Sequence, residues 1–184
     1  MKDEVHVREA TVDDARGIAR VLVDGWKATY AGILPAAFLA SFNYEAHEAG
    51  TRTHLEHLPT SSAVFVALGE DDSVLGVTHV RETKTGLKDF SAELEAIYVL
   101  PAAQRRGVGS HLLLSVVRWL KKRRHRSMFL WVMRDNPWRP FYHRAGGELL
   151  NEQKQQDFGG ASITLVAYGW RDLNALNDRL KGHV

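Results

Sequence analysis

The 184-residue chain contains no cysteine. Disulfides, thiolate-bound metals and a cysteine nucleophile are therefore excluded together, and the absence fits a reducing compartment. No apolar stretch approaches the roughly 18 residues that a membrane-spanning helix needs. The opening Met1-Lys2-Asp3-Glu4-Val5 also lacks the apolar run of a signal peptide. The expected location is the cytoplasm, with no membrane partner. Internal repeats, low-complexity tracts and linker-like stretches are missing as well, so one domain over residues 1–184 is expected. Charge of one sign is scarce in excess, the formal net being only +2. The densest basic cluster, Arg118 to Arg126 with Lys121, Lys122, Arg123, Arg124 and His125, falls at the end of a predicted helix. Cations are favourable there because the helix dipole is negative at that end. A nucleic-acid binder more often spreads such charge over a face and interleaves aromatics, so nucleic acid is not the expected partner. The cluster reads as a solvated helix end able to attract an anionic ligand.

What is present is a folded-protein balance, with 45% hydrophobic and 25% charged residues. His6 to Ala10 alternates like a short strand. Thr11 then caps a helix that runs to about Tyr30, with Ile18, Val21, Leu22, Gly25 and Trp26 on one stripe. Gly32 and Pro35 punctuate the chain before a helical region from about Ala36 to His57, closed by Pro59. Strand-like runs follow at Ala63–Leu68, Val74–Arg81 and Ala92–Leu100. A glycine-bearing loop, Pro101 to Gly109, leads into a strong helix reaching about Arg124. Met128–Met133 reads as a buried strand, and Pro137 starts a short helix ended by Gly146-Gly147. Two closing strands, near Glu148–Gln153 and Ile163–Gly169, flank a turn at Gly159-Gly160, and Asp172–Lys181 suits a terminal helix.

The chemistry concentrates where a strand feeds a glycine loop and then a helix. The first turn of a helix leaves N–H groups unpaired, and they can grip an anion. Gly107 and Gly109 place no side chain between that backbone and a pyrophosphate, and Arg105 and Arg106 add positive charge. The loop is not a dinucleotide fingerprint, since a third glycine is missing and the preceding strands form a meander. Nor is it a nucleotidase-type phosphate loop, because no Lys-Ser or Lys-Thr follows the second glycine.

Gln104-Arg105-Arg106-Gly107-Val108-Gly109 resembles the acetyl-CoA motif of the GCN5-related N-acetyltransferase (GNAT) family. The resemblance extends to the strand Glu93–Leu100, the following helix and the segment Asn136–Gly147. It implies an α/β fold with a mixed, mostly antiparallel sheet, helices on both faces, and a parallel strand pair that splays apart to bind acetyl-CoA as co-substrate. The implied coenzyme contacts are the strand edge at Ile97, Tyr98 and Val99, the loop residues Gln104, Arg105, Arg106, Gly107, Val108, Gly109 and Ser110, and Asn136. The basic helix end is a candidate for the 3′-phosphate. An oxyanion donor would come from a bulged strand near Val99. Asn136 stands one residue closer to Tyr142 than the family pattern has it, with Asp135 at the usual distance.

Acetylating an alkylamine requires removal of a proton held up to a pKa near 10, so a general base is expected. The resemblance points to Glu93, with Glu95 on the same strand face as the other candidate. Tyr142 resembles the family's tyrosine that gives a proton or hydrogen bond to the departing thiolate. Trp26 and Tyr30 resemble residues walling the acceptor cleft, for an acceptor that is a small-molecule or peptide amine, and the family is often homodimeric. His47, His54 and His57 show no convincing metal spacing, and His143 is read as a surface histidine. Two other readings remain open at this stage. One is an acyl-CoA-binding sensor domain without catalysis, and the other is a polyanion-binding protein using Arg118–Arg126.

Overall fold

The chain starts on strand β1 (His6–Glu9), and the turn that follows depends on Asp14. Its carboxylate accepts from the Thr11 N–H at 2.7 Å and from both terminal nitrogens of Arg8 at 2.7 and 2.9 Å. A 3₁₀ turn over Val12–Asp14 thus feeds helix α1 (Ala15–Tyr30), which buries Ile18, Val21 and Gly25. The computed structural model describes residues 5–84 and 86–182, so the apolar-poor opening Met1–Glu4 lies outside it.

The helical region expected over 36–57 is two helices, α2 (Ala36–Ala40) and α3 (Tyr44–Glu56). Asn43 divides them: its backbone is extended, and its side chain accepts from the Ala46 N–H at 2.8 Å, capping α3. The meander follows as β2 (Ser62–Leu68), β3 (Val74–Glu82) and β4 (Ala92–Val99). Helix α4 (Val108–Lys122) comes next, then β5 (Met128–Met133) and α5 (Arg139–Arg144). Helix α5 begins two residues after Pro137, because Asn136 Oδ1 takes the Trp138 N–H into a turn at 2.8 Å. Strand β6 (Glu148–Phe158) runs five residues beyond its expected end. It meets β7 (Ala161–Trp170) through Gly159 and Gly160, both at positive φ. Helix α6 (Leu173–Lys181) closes the described chain, capped by Asp172.

Among the described residues seven strands form one sheet, in the order β1-β2-β3-β4-β5-β7-β6. All neighbours are antiparallel except β4 and β5. Helix α1 packs on β3 and β4, and α4 packs on β2, β3 and β4. The main core joins Val66, Val80 and Leu94 of the sheet to Leu112, Leu113, Val116, Val117 and Leu120 of α4. Among the described residues no helix is long and apolar enough to cross a membrane.

Burial pushes the Asp14 carboxyl up, but the hydrogen bonds from Arg8 and Thr11 outweigh it and hold its pKa below the ordinary value. A depressed carboxylate stabilises the fold above its unfolded pKa and loses that contribution as pH falls through the folded one. Asp14→Asn should therefore destabilise by about 2 kcal/mol at pH 7. It should also flatten the fall in urea midpoint expected of the parent protein below about pH 4. Urea titrations at pH 7 and pH 3 check both expectations.

Candidate functional site

Strands β4 and β5 pair at Glu93 and Phe129 and then part. Leu100 N–H donates to the Leu75 carbonyl near the start of β3 at 2.9 Å, and the register sets Val99 opposite Gly76. In an antiparallel ladder the backbone groups of successive residues alternate in direction. Ile97 and Val99 therefore turn their N–H and C=O away from β3, into the gap beside β5. Gln104 reaches that edge and donates from Nε2 to the Val99 carbonyl at 3.1 Å. Its side chain thus braces the strand end while the residue lines the gap.

The loop after β4 enters α4 through two left-handed residues, Arg105 (φ 61°) and Gly107 (φ 83°). A Cβ on Gly107 would meet nothing closer than His111 at 3.8 Å, so it is the backbone angle and the need for open space above it that favour glycine. Ser110 N–H is taken by the Gly107 carbonyl at 2.9 Å. Gly107, Val108 and Gly109 N–H have no backbone partner among the described residues. The Val108 side chain is buried in the core, so only its backbone can serve a ligand. A Cβ on Gly109 would lie 3.4 Å from the Phe141 ring. These elements enclose a cavity of about 390 Å³ whose walls include Ile97, Tyr98, Val99, Gln104, Arg105, Gly107, Gly109, Ser110, Asn136 and Tyr142. Arg106 is exposed and outside that wall.

Arg144 of α5 lines the same cavity and was not singled out from the sequence, although it falls within the Asn136–Gly147 segment. The basic cluster, by contrast, occupies the far end of α4, about 22 Å along the helix axis from Gly107. Arg123 there pairs with Glu82 at 3.3 Å and donates to the Thr60 carbonyl at 2.9 Å. The cluster expected as a candidate for the 3′-phosphate thus lies away from this cavity, and the cations lining it among the described residues are Arg105 and Arg144.

A second cavity, of about 380 Å³, opens between β4 and β5 and is walled by Trp26, Tyr30, Glu93, Glu95, Trp131 and Asn136 among others. Ile97, Tyr98, Asn136 and Tyr142 belong to both cavities, so the two spaces meet there. Asn136 is buried and donates from Nδ2 to the Tyr30 hydroxyl at 3.1 Å. Asp135, the alternative raised by the spacing, is exposed. Burial pushes the Tyr142 phenol well above its ordinary range, with nearby Tyr30 and Tyr168 adding to the effect. Tyr98 is raised for the same primary reason, and Tyr30 is raised despite hydrogen bonds from Tyr98 and Asn136.

Glu93 and Glu95 face one cation. Arg81 of β3 sits 2.5 Å from Glu93 Oε2 and 2.6 Å from Glu95 Oε1. His79 Nδ1 lies 3.0 Å from Glu95 Oε2. Burial, with His54 and Arg81 close by, lowers the His79 pKa to about 4, so the ring is neutral at pH 7. The pairing jumps from Val80–Leu94 to His79–Ala96, leaving Glu95 as the extra residue of a bulge. The irregularity expected near Val99 is therefore at Glu95, and Val99 itself is in register with Gly76.

Trp26 centres an aromatic cluster with Tyr30 at 4.8 Å, Phe42 at 5.1 Å and Phe158 at 6.0 Å between ring centres. Lys154, Gln156 and Phe158 of β6 complete the second cavity's wall. They went unnoticed in the sequence because the expected strand stopped at Gln153. His143 is exposed, and His47 and His57 bond back to the Asn43 and Thr53 carbonyls. Among the described residues no group of three or more His, Asp or Glu is placed to hold a metal.

The acetyltransferase (GNAT) family model matches residues 28–146. An uncharacterized N-acetyltransferase of Bacillus subtilis, YuaI, is 35% identical over 176 residues, covering 96% of this chain and 98% of the relative. A spermidine N(1)-acetyltransferase of Thermoplasma acidophilum is 23% identical over 158 residues, covering 84% and 94%. In structure, the PaiA N-acetyltransferase of Thermoplasma acidophilum, solved in complex with coenzyme A, superposes with a TM-score of 0.64 at 21% identity. That superposition covers 91% of this chain and 99% of the other.

Asn136→Ala should leave the Tyr30 hydroxyl and the Trp138 N–H without their partners and cost about 2 kcal/mol of stability. Denaturant unfolding measures this, and a loss comparable to that of an exposed asparagine would show that the bridge between the cavities is not held by this side chain.

Proposed function

This chain belongs to the acetyltransferase (GNAT) family, and on that premise we propose that it moves an acetyl group from acetyl-CoA to a primary amine, by direct attack in a ternary complex. The reading treats residues 1–184 as one acetyltransferase domain acting in the cytoplasm. It is carried by a single observation: a cleft suited to a coenzyme and a second cavity bearing two carboxylates meet at Tyr98, Asn136 and Tyr142. The relatives named for N-acetyl transfer and the coenzyme A complex of a similarly folded protein support it.

The residues fit the coenzyme. Gly107, Val108 and Gly109 present N–H groups without a backbone partner among the described residues at the positive end of a 15-residue helix, the place where a diphosphate is favoured. Arg105 and Arg144 add charge at the same cavity. Ile97 and the Val99 N–H offer an open strand edge to the amide groups of pantetheine. Acetyl-CoA supplies an acyl carbon activated as a thioester, and the rest is done by side chains.

Glu93 serves as the base that takes the ammonium proton. Both Glu95 oxygens are engaged, by Arg81 and His79, whereas among the described residues Glu93 is paired through Oε2 alone. The freed amine adds to the acyl carbon and the carbon–sulfur bond breaks as that adduct collapses; nitrogen gives up its second proton as sulfur gains one, so ammonium and thioester yield amide, thiol and the one proton held by Glu93. Tyr142 stays protonated because burial disfavours its phenolate. A thiol ionises near pH 8.5, so full transfer from so weak an acid is uphill. The role that fits is a hydrogen bond to the sulfur as charge develops on it.

Acetyl-CoA should raise the melting temperature of the parent protein, and Gly107→Glu should abolish that rise by setting bulk and negative charge against the diphosphate. Retention of the full shift in the variant would remove the loop from the site. Tyr142→Phe should lower kcat by about 10- to 100-fold with little change in coenzyme affinity. Equal losses in both would assign Tyr142 to packing. Release of free CoA thiol across an amine panel tests the reaction itself, and coenzyme binding without turnover would leave a sensor domain.

A further inference from the structure

The second cavity is lined by charges of both signs, on the separate strands β4 and β6. On one side stand Glu93 and Glu95, bridged by the single guanidinium of Arg81, which leaves two negative charges against one positive. On the other, β6 turns every second residue toward the space, bringing Lys154 and Gln156 to the wall. Lys154 Nζ stands 4.5 Å from the centre of the Trp131 ring. Trp131 belongs to β5, the strand that borders the gap beside β4. The lysine, although exposed, therefore reaches across β7 and rests its head over the face of an aromatic ring. Among the described residues it has no carboxylate partner.

An acceptor that is only cationic would meet Lys154 as a like charge, and an uncharged tail would leave that ammonium unanswered. A molecule with an amine at one end and an anion at the other satisfies both walls, and about 380 Å³ is room for one of modest size. We propose that the acceptor is a small zwitterion of amino-acid type, its amine directed to Glu93 and its carboxylate received by Lys154 with Gln156 beside it. The inference rests on the acetyl-transfer reading and names the substrate class of that same site. Lys154 becomes a specificity-determining residue, contributing a charge-assisted hydrogen bond that the decarboxylated amine cannot use.

The test compares acceptors that differ only by the carboxylate: phenylalanine with phenethylamine, serine with ethanolamine, and lysine with cadaverine, each assayed by thiol release from acetyl-CoA. The amino acid of at least one pair should show a kcat/KM about tenfold or more above its twin. Lys154→Gln should collapse that ratio toward one by raising KM for the amino acid, and Lys154→Arg should keep it. Turnover of the decarboxylated amines at equal or better efficiency overturns the zwitterion assignment and leaves acetyl transfer standing. So does a Lys154→Gln variant that keeps the full ratio. Absence of turnover with every amine, while acetyl-CoA still binds, overturns the acetyl-transfer reading and this inference with it.

Discussion

Strands β4 and β5 share one pairing, Glu93 with Phe129, and then present backbone groups that no neighbouring strand meets. Buried peptide groups without partners are costly, so an open seam in the middle of a sheet has to be offset by what borders it. Here β4 is paired with β3 on its other side along its length except at the Glu95 bulge, and β5 with β7 on its own, so both lips of the seam are anchored. The seam becomes a fixed slot. Every feature of the candidate site is arranged around it: the loop into α4 at one end, the carboxylates of β4 at the other, and Tyr98, Asn136 and Tyr142 between.

The site's electrostatics follow from its shape. Tyrosines placed at the junction lose water, and their phenols are driven toward the protonated form. Two carboxylates on one strand would repel each other, and Arg81 from the adjacent strand offsets that repulsion by contacting both. The bulge that leaves Glu95 unopposed increases the local twist and lets His79, Arg81, Glu93 and Glu95 converge despite the interrupted alternation.

Much of this was legible in the residues. Apolar periodicity and turn signals located α1, α4 and the strands other than β6 closely, because most of those segments bury one face or both. Gln104 to Gly109 marked the loop that enters α4, since the positive φ of Gly107 leaves a glycine signature. Less was visible where burial does not govern conformation. Asn43 gives no hydrophobic cue, so its cap split an expected helix in two. The end of β6, Gln153-Lys154-Gln155-Gln156-Asp157, is polar on both faces and carries no alternation, so the wall it supplies to the second cavity did not show.

The sequence alone determined the kinds of groups available: a chain without thiols, a glycine loop at a helix start, paired glutamates on a strand, and a tyrosine near a double glycine. These are local facts, written in neighbouring residues. Tertiary structure decided which groups share a space. Arg81 between the two glutamates, Asn136 on Tyr30, Lys154 over Trp131, and the basic end of α4 remote from Gly107 all depend on strand order, register and helix length. Contacts between residues tens of positions apart are set by how sheet edges pair and where a sheet fails to pair, and no local pattern carries that information.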